Sequence, residues 1–565
     1  MPRPLGAAAL LLVGAALAAC GSRPVPRKVV LVGIDGAEWS VLDRLRAAGR
    51  VPVLARLLER GARGSLATLR PTLSPALWTT IATGETPAAH GVENFVTFRP
   101  EAELALPDVP PGQADLQLRL ALDGACAPEA LKVYLDGAPL AGVFDAAGFR
   151  ARLPAVARGE PHTLLLDLPA RCAAAPPPGR KDGPPWGRVA GLTVLGPSGA
   201  PLVEEGPEAL VNLEHGIRAA GEPGAPALLV GRRLAQVESG DRRVPALWNI
   251  ASARGRSVGV VGWWCTWPAE RVRGTMISDF LFFASTRRLL DLERLPEDAL
   301  QARAVYPPAA AGLLAGALPA RWEMSAEELG RFVPASSPRF PEHVRAPARL
   351  HSLADPPLVV LKDTYLLNRP YFTVARRLAA EGQPDLLLVY TNLVDAVEHK
   401  FWRYYEPERF EGVSPAELED FGDTIPRAYA YVDAELGGLL AALAPDTVVL
   451  VVSDHGHHAA REGGVFSGEH SDAPPGILIA AGPGIRHGEV QGASLLDVAP
   501  TVLAMLALPV PRDLPGHVLA NLFTAPPRVE AIATYDDVPH EAPVPPPAEL
   551  DPAVRERLRA LGYLQ

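Results

Sequence analysis

The chain has 565 residues, 48% of them apolar and 21% charged, with a formal net charge of −10. Those proportions exclude a wholly disordered, collagenous or coiled-coil chain, and basic residues scattered without a run or stripe argue against a nucleic-acid-binding surface. At about 100–200 residues per domain the length suits one large domain with one or two additions, and the 60 prolines foretell long irregular connections.

Arg3 precedes an apolar run from Leu5 to Ala19. The run falls short of the ~20 residues a bilayer-spanning helix needs and has the proportions of a signal-peptide core. It ends in Leu17-Ala18-Ala19-Cys20-Gly21, which resembles a bacterial lipoprotein processing site. That resemblance implies a signal peptide over 1–19, lipidation of Cys20, a tether over 20–27, and an exported lipoprotein anchored to a membrane on its outer-membrane or periplasmic face. A plain secretory signal with an incidental Cys is the alternative. In an exported chain Cys126 and Cys172, which share one Pro/Ala-rich region, are expected to pair as a disulfide. Cys265, within Trp263-Trp264-Cys265-Thr266-Trp267, is expected to be a buried free thiol.

Lys28 to Gly33 is a short apolar run followed by Ile34-Asp35-Gly36. It predicts a buried parallel strand whose C-terminal end presents a carboxylate. Apolar spacing predicts a helical stretch over 40–61 closed by Gly61 as a C-cap. Ser65 to Leu69 reads as a second strand, and a helix is expected over 77–83 after the turn from Pro71 to Pro75. Residues 28–100 are expected to form the first part of the main α/β domain. Over 101–245 Pro and Gly cluster between alternating stretches such as Leu116–Leu120 and Thr163–Leu166, predicting a β-rich insertion with no catalytic constellation. The second part of the domain is expected over 246–525. Its predicted strands are Ser257–Gly262, Asp385–Thr391, Asp446–Ser453 and Gly476–Ala480, with helical segments near 427–444 and 495–507. Helical pieces broken by Pro over 286–380 read as a cap over a site, and 526–565 as a Pro-rich tail whose last helix starts at Asp551-Pro552. The alternation predicts an α/β fold: a mostly parallel central sheet with helices on both faces.

Candidate metal ligands follow the strand ends, where open α/β sheets place their sites. Asp35 follows the first strand, Asp395 and His399 follow Asp385–Thr391, Asp454 and His455 follow Asp446–Ser453, and His470 lies in a Gly-rich loop before Gly476–Ala480. Three carboxylates and three imidazoles match the donors that hold zinc, and an Asp-x-x-x-His pair faces one way on a helical turn. Singly, each residue would read as a turn, a cap or a surface group. Ser74, in Pro71-Thr72-Leu73-Ser74-Pro75, is a nucleophile candidate, because coordination to a metal eases loss of its proton. The alternative is that Ser74 and Thr72 only cap the following helix. No Gly-x-Ser-x-Gly elbow is present. His457 and His458 are read as solvent-facing loop histidines beside the site.

These pieces resemble the alkaline phosphatase superfamily, in its type I phosphodiesterase/nucleotide pyrophosphatase branch. The matching stretches are KVVLVGIDG at 28–36, PTLSPALWTTIATGETPAAHGV at 71–92, DAVEH at 395–399, SDHG at 453–456 and GEH at 468–470. The resemblance implies an alkaline phosphatase-like fold and two Zn2+ ions, other divalent metals being possible. Asp395, His399 and His470 would hold one, and Asp35, Asp454, His455 and the Ser74 oxygen the other. It makes Ser74 the nucleophile, with a covalent phospho-Ser intermediate, and it assigns a phosphate contact to Asn94, which stands one residue closer to His90-Gly91 than in the usual pattern. His90 itself is expected to be structural. The implied substrate is a phosphate ester, a nucleotide or a lipid headgroup among the candidates. Sulfatases of the superfamily carry an Arg just after the nucleophile, where this chain has Pro75-Ala76-Leu77-Trp78, and monoesterases add an Arg that 71–92 lacks. The first absence argues against a sulfatase, and the second favours diesters. A phosphomonoesterase, a phosphonate hydrolase and a non-catalytic cell-surface binding protein on the same fold are the alternatives.

Overall fold

The computed structural model describes residues 28–105, 228–289, 300–301, 303–460 and 465–540, together with strands and short connections between 115 and 205. Cys20, Cys126, Cys172 and the helix expected at Asp551 lie outside the described residues. Its centre is a nine-stranded sheet. In chain order the strands are β1 (Val29–Ile34), β2 (Ala62–Ala67), β3 (Val258–Val261), β4 (Gly274–Ile277), β5 (Val305–Tyr306), β6 (Leu386–Thr391), β7 (Val448–Val452), β8 (Gly476–Ala481) and β9 (Gly488–Ser494). Their spatial order is β5-β4-β3-β6-β1-β7-β8-β2-β9. From β4 to β7 every neighbouring pair is parallel, whereas β8 runs antiparallel to both β7 and β2. The α/β architecture with a mostly parallel sheet flanked by helices is therefore present. Strands β1, β6 and β7 are buried along their whole length, as Val/Leu-rich strands between two helical layers must be.

Two local expectations are corrected. The helical stretch over 40–61 is two helices, α1 (Trp39–Ala47) and α2 (Pro52–Arg60), because Gly49 adopts a positive φ of 69° between them. Gly61 is not a left-handed cap: its backbone is extended, and a Cβ there would lie 1.9 Å from the Ala480 carbonyl oxygen on β8. Close approach to a strand, not cap geometry, demands this glycine. The N-terminus of α2 is satisfied from a distance, with Val53 and Leu54 N–H donating to the buried Asp433 carboxylate at 3.0 and 2.7 Å.

Helix α3 spans Ser74–Thr83, starting three residues earlier than expected. The later helices include α4 (Pro357–Gly382), α5 (Leu393–Tyr405) and α6 (Thr424–Ala441). The β-rich character of the insertion is borne out in two five-stranded sheets, and strands Val96–Ala105 and Leu228–Gln236 pair antiparallel along their length to connect it to the domain. Cys265 is buried and free. Among the described residues no helix is long and apolar enough to cross a membrane.

A candidate metal centre at the strand ends

Parallel strands end on one edge of the sheet, and β1, β6 and β7 deliver their following residues to one place. Asp35 leaves β1 with its N–H donating to Thr391 O, and its own carbonyl accepts from Asp395 N–H at 3.2 Å, so the ends of β1 and β6 are tied together. Asp395 and His399 stand one turn apart on α5, and His399 Nε2 lies 3.6 Å from Asp395 Oδ1. Asp454 and His455 follow β7, and His455 Nε2 lies 3.3 Å from Asp454 Oδ2 and 3.5 Å from Asp35 Oδ1.

The structure gathers these side chains into two groups whose donor atoms lie within 4.8 Å of one another: Asp35, Asp454 and His455 in one, and Asp395, His399, His457 and His470 in the other. The His455 and His470 rings stack with centroids 4.1 Å apart, so the groups adjoin. His457 is the residue that sequence reasoning misplaced. It is buried rather than solvent-facing, with Nε2 3.4 Å from Asp395 Oδ1. Only His458 of that pair is half-buried.

Outer contacts orient the donors. The Nδ1 atoms of His399 and His455 face the Gly468 and Gly456 carbonyls at 2.9 and 3.2 Å. A carbonyl only accepts, so both rings carry their proton on Nδ1 and turn a bare Nε2 inward. Thr72 Oγ1 donates to His470 O at 2.7 Å, leaving its lone pairs to His470 Nδ1 at 3.1 Å. Asp35 Oδ2 accepts from Trp78 Nε1 at 3.1 Å and from the Tyr390 hydroxyl, whose oxygen in turn accepts from Trp264 Nε1 at 2.6 Å. None of these residues was assigned a supporting role from the sequence, where Thr72 was read only as a helix cap. Trp78 was discoverable in part: it lies one helical turn after Ser74, on the same face.

Buried polar atoms ordinarily find partners, yet Asp35 Oδ1, Asp395 Oδ1, both Asp454 oxygens, His455 Nε2 and His457 Nε2 find none. Burial and the neighbouring Asp395 push Asp35 up to about 7, burial pushes Asp395 up to about 7, and burial drives Asp454 well above the usual carboxylate range. The same burial holds His455 and His457 well below their ordinary value and His470 down to about 3. Neutral imidazoles beside carboxylates short of counter-charge are the donor set a divalent cation completes, so these residues fit such a metal.

Ser74 begins α3, and it is no cap: Leu73 holds the N-cap position and no side chain caps the helix. Thr72 on one side binds His470 and Trp78 on the other binds Asp35, so the segment carrying Ser74 is pinned to both groups. Trp78 can lie over β1 only because residue 33 is Gly, where a Cβ would come within 2.4 Å of its ring. Asn94 is exposed, and its Oδ1 accepts from the Phe95 N–H at 2.7 Å rather than meeting either group. His90 is fully buried and structural: Val92 N–H donates to its Nδ1, so its Nε2–H faces Thr80 Oγ1 at 3.1 Å.

Fold and site together define an α/β protein of the kind that assembles Asp and His donors at the carboxyl ends of a parallel sheet. The chain belongs to the type I phosphodiesterase / nucleotide pyrophosphatase family, which it matches over residues 29–110 and 226–473. Among curated proteins it is 37% identical over 106 residues to the 2,3-bisphosphoglycerate-independent phosphoglycerate mutase of Cellvibrio japonicus, covering 18% of this chain and 20% of the mutase. It is 30% identical over 124 residues to arylsulfatase K of Gallus gallus, covering 20% and 22%. The matches thus span about a fifth of these relatives' length. Among solved structures, murine ectonucleotide pyrophosphatase / phosphodiesterase 5 in complex with AMP aligns at 10% identity and a TM-score of 0.38, over 88% of this chain and 100% of that one. Phosphonoacetate hydrolase from Sinorhizobium meliloti 1021 aligns at 14% identity and a TM-score of 0.31, over 78% and 59%.

Proposed function

We propose that this chain is an exported two-zinc phosphodiesterase, anchored through Cys20, in which Ser74 is the nucleophile. The observation that carries the reading is the pair of adjoining ligand groups with unpartnered buried donors, together with the pinning of the Ser74 segment to both. Asp35, Asp454 and His455 would hold one cation beside Ser74, and Asp395, His399 and His470 the other. Two such cations, when bound, ease ionisation of the attacking hydroxyl and neutralise charge on the entering and leaving oxygens.

The chain's own residues supply the rest. Ser74 sits at the first turn of α3, where the positive end of the helix favours an anionic oxygen and a phosphate. Its Oγ forms a bond to phosphorus while the bond to the leaving oxygen breaks and takes the electron pair with it. The hydroxyl proton passes to solvent, and water then releases the phosphoryl group from Ser74. Tyr390 and Trp78 hold Asp35 by one oxygen so that the other points into the site. With no Arg in 71–92 to grip a dianion, a diester is the substrate class that suits the segment.

The test compares initial rates on a bis-aryl phosphate diester and an aryl phosphate monoester, with zinc-loaded protein and its Ser74→Ala variant. Diester turnover well above monoester turnover, lost in the variant, supports the reading. Monoester preference contradicts the substrate class and leaves the nucleophile standing.

A further inference from the structure

His457 belongs to the second donor group but is not among the ligands assigned under the proposed function, and its surroundings give it that role. We propose that His457 is a direct ligand of the cation held by Asp395, His399 and His470, which makes that centre a three-imidazole, one-carboxylate site. The inference rests on the metal reading of the previous section and extends it.

Three observations carry it. The first is distance. In a tetrahedron with metal bonds of about 2.0–2.1 Å, neighbouring donors stand roughly 3.4 Å apart. Measured from Asp395 Oδ1, His457 Nε2 stands at 3.4 Å, His399 Nε2 at 3.6 Å and His470 Nε2 at 4.0 Å, so His457 has the contact closest to that edge. The second is hydrogen bonding. Both His457 Nε2 and Asp395 Oδ1 are buried without a hydrogen-bond partner, so their short separation is not a hydrogen bond that explains itself.

The third is the support behind the ring. His457 Nδ1 faces Glu398 Oε2 at 3.0 Å, and Glu398 Oε1 accepts from the Tyr429 hydroxyl at 2.9 Å, which itself accepts from Glu38 N–H at 3.1 Å. A carboxylate beside the outer nitrogen of an imidazole, held by its own partner, stands where the carboxylates that orient metal-bound histidines stand, although the geometry between Nδ1 and Oε2 is not that of a hydrogen bond. The other two histidines of the centre, His399 and His470, likewise turn Nδ1 outward to an oxygen, so His457 shares their pose. Gly36 makes the room: with φ of 76° it brings the chain close enough that a Cβ would meet both Asp395 Cα at 2.9 Å and His457 Cε1 at 3.0 Å. A centre with four protein donors accepts a substrate oxygen only as a fifth ligand, which ties its openness to the freedom of these side chains.

The test loads the full chain, labelled with 15N-histidine, with cobalt(II) alone and counts exchangeable imidazole N–H protons shifted by the paramagnetic ion. Each coordinating imidazole contributes one. The inference expects four in the wild type, from His399, His455, His457 and His470. His457→Gln loses the His457 signal, and His458→Ala, which touches neither group, keeps all four. Three signals in the wild type, with none lost in His457→Gln, overturn the inference and leave the metal reading intact. No shifted signal in the wild type overturns the metal reading itself. The wild-type count decides even if His457→Gln fails to fold.

Discussion

The two ligand groups adjoin, yet they are built from opposite mixtures. The Asp35, Asp454 and His455 group has two carboxylates to one imidazole, and all three residues are buried. The Asp395, His399, His457 and His470 group has one carboxylate to three imidazoles, and three of its members are partly open to solvent. With neutral imidazoles, the deep group concentrates more negative charge where water cannot screen it. The shallow group is less negative and reachable, which suits it to meet an anionic substrate. The deep group is the one Trp78 ties to the helix carrying Ser74. Under the proposed function the difference implies a division of labour: the deep group would secure the nucleophile's cation and the shallow group would receive the substrate.

The strongest way to break that comparison is to neutralise the deep group. Asp454→Asn should lower diester turnover on the order of 10³-fold or more, as removal of a dominant electrostatic stabiliser does, with zinc per chain falling in parallel by elemental analysis. His470→Ala in the shallow group should cost less and act more on KM. Equal losses with the same KM would erase the division.

A pH series sharpens it. Asp35 and Asp395 are both pushed up to about 7 without a cation, so zinc must displace protons from them at lower pH. Zinc affinity measured by calorimetry should fall as pH drops through about 7, by up to about tenfold per pH unit for each proton displaced. The sign for folding is opposite. A carboxylate raised from 3.8 to about 7 contributes stability to the metal-free protein that is fully present below 3.8 and lost as pH rises through about 7. A zinc affinity flat between pH 6 and 8 would contradict the assignment of these carboxylates.

Tyr390→Phe removes one of two donors from Asp35 Oδ2 while Trp78 keeps the other. Zinc affinity of the deep group should drop about 10–100-fold, the usual cost of losing an outer hydrogen bond to a ligand. The smallest effect is expected at Asn94, which is exposed and bonds its own chain. Asn94→Ala should leave stability within about 0.5 kcal/mol, and a rise in KM would expose a phosphate contact made only with substrate bound.

What could be read from the sequence follows from how each feature is encoded. Apolar runs such as Leu386–Thr391 announce a buried strand, and an Asp or His just past the run announces the site, because strand ends converge in parallel sheets. His457 was misplaced because it was read, with His458, as part of a solvent-facing loop. The His455–Pro475 bridge and the Gly456 N–H to Pro474 O bond instead hold that segment extended, and residues 455 and 457 then point the same way. Period-two spacing of the two histidines was the available signal. Tyr390 and Trp78 were illegible as supports, because a buried aromatic reads as core until its partner is known. The break at Gly49 and the demand on Gly61 depend on contacts that sequence spacing does not carry.

The central claim is that Ser74 attacks phosphorus beside the deep group. The most direct measurement is diester turnover of wild type and Ser74→Ala at equal zinc content. The account predicts loss of at least about 10³-fold in kcat with both zincs retained by the variant fold. Turnover within a few-fold of wild type at full zinc occupancy would contradict it.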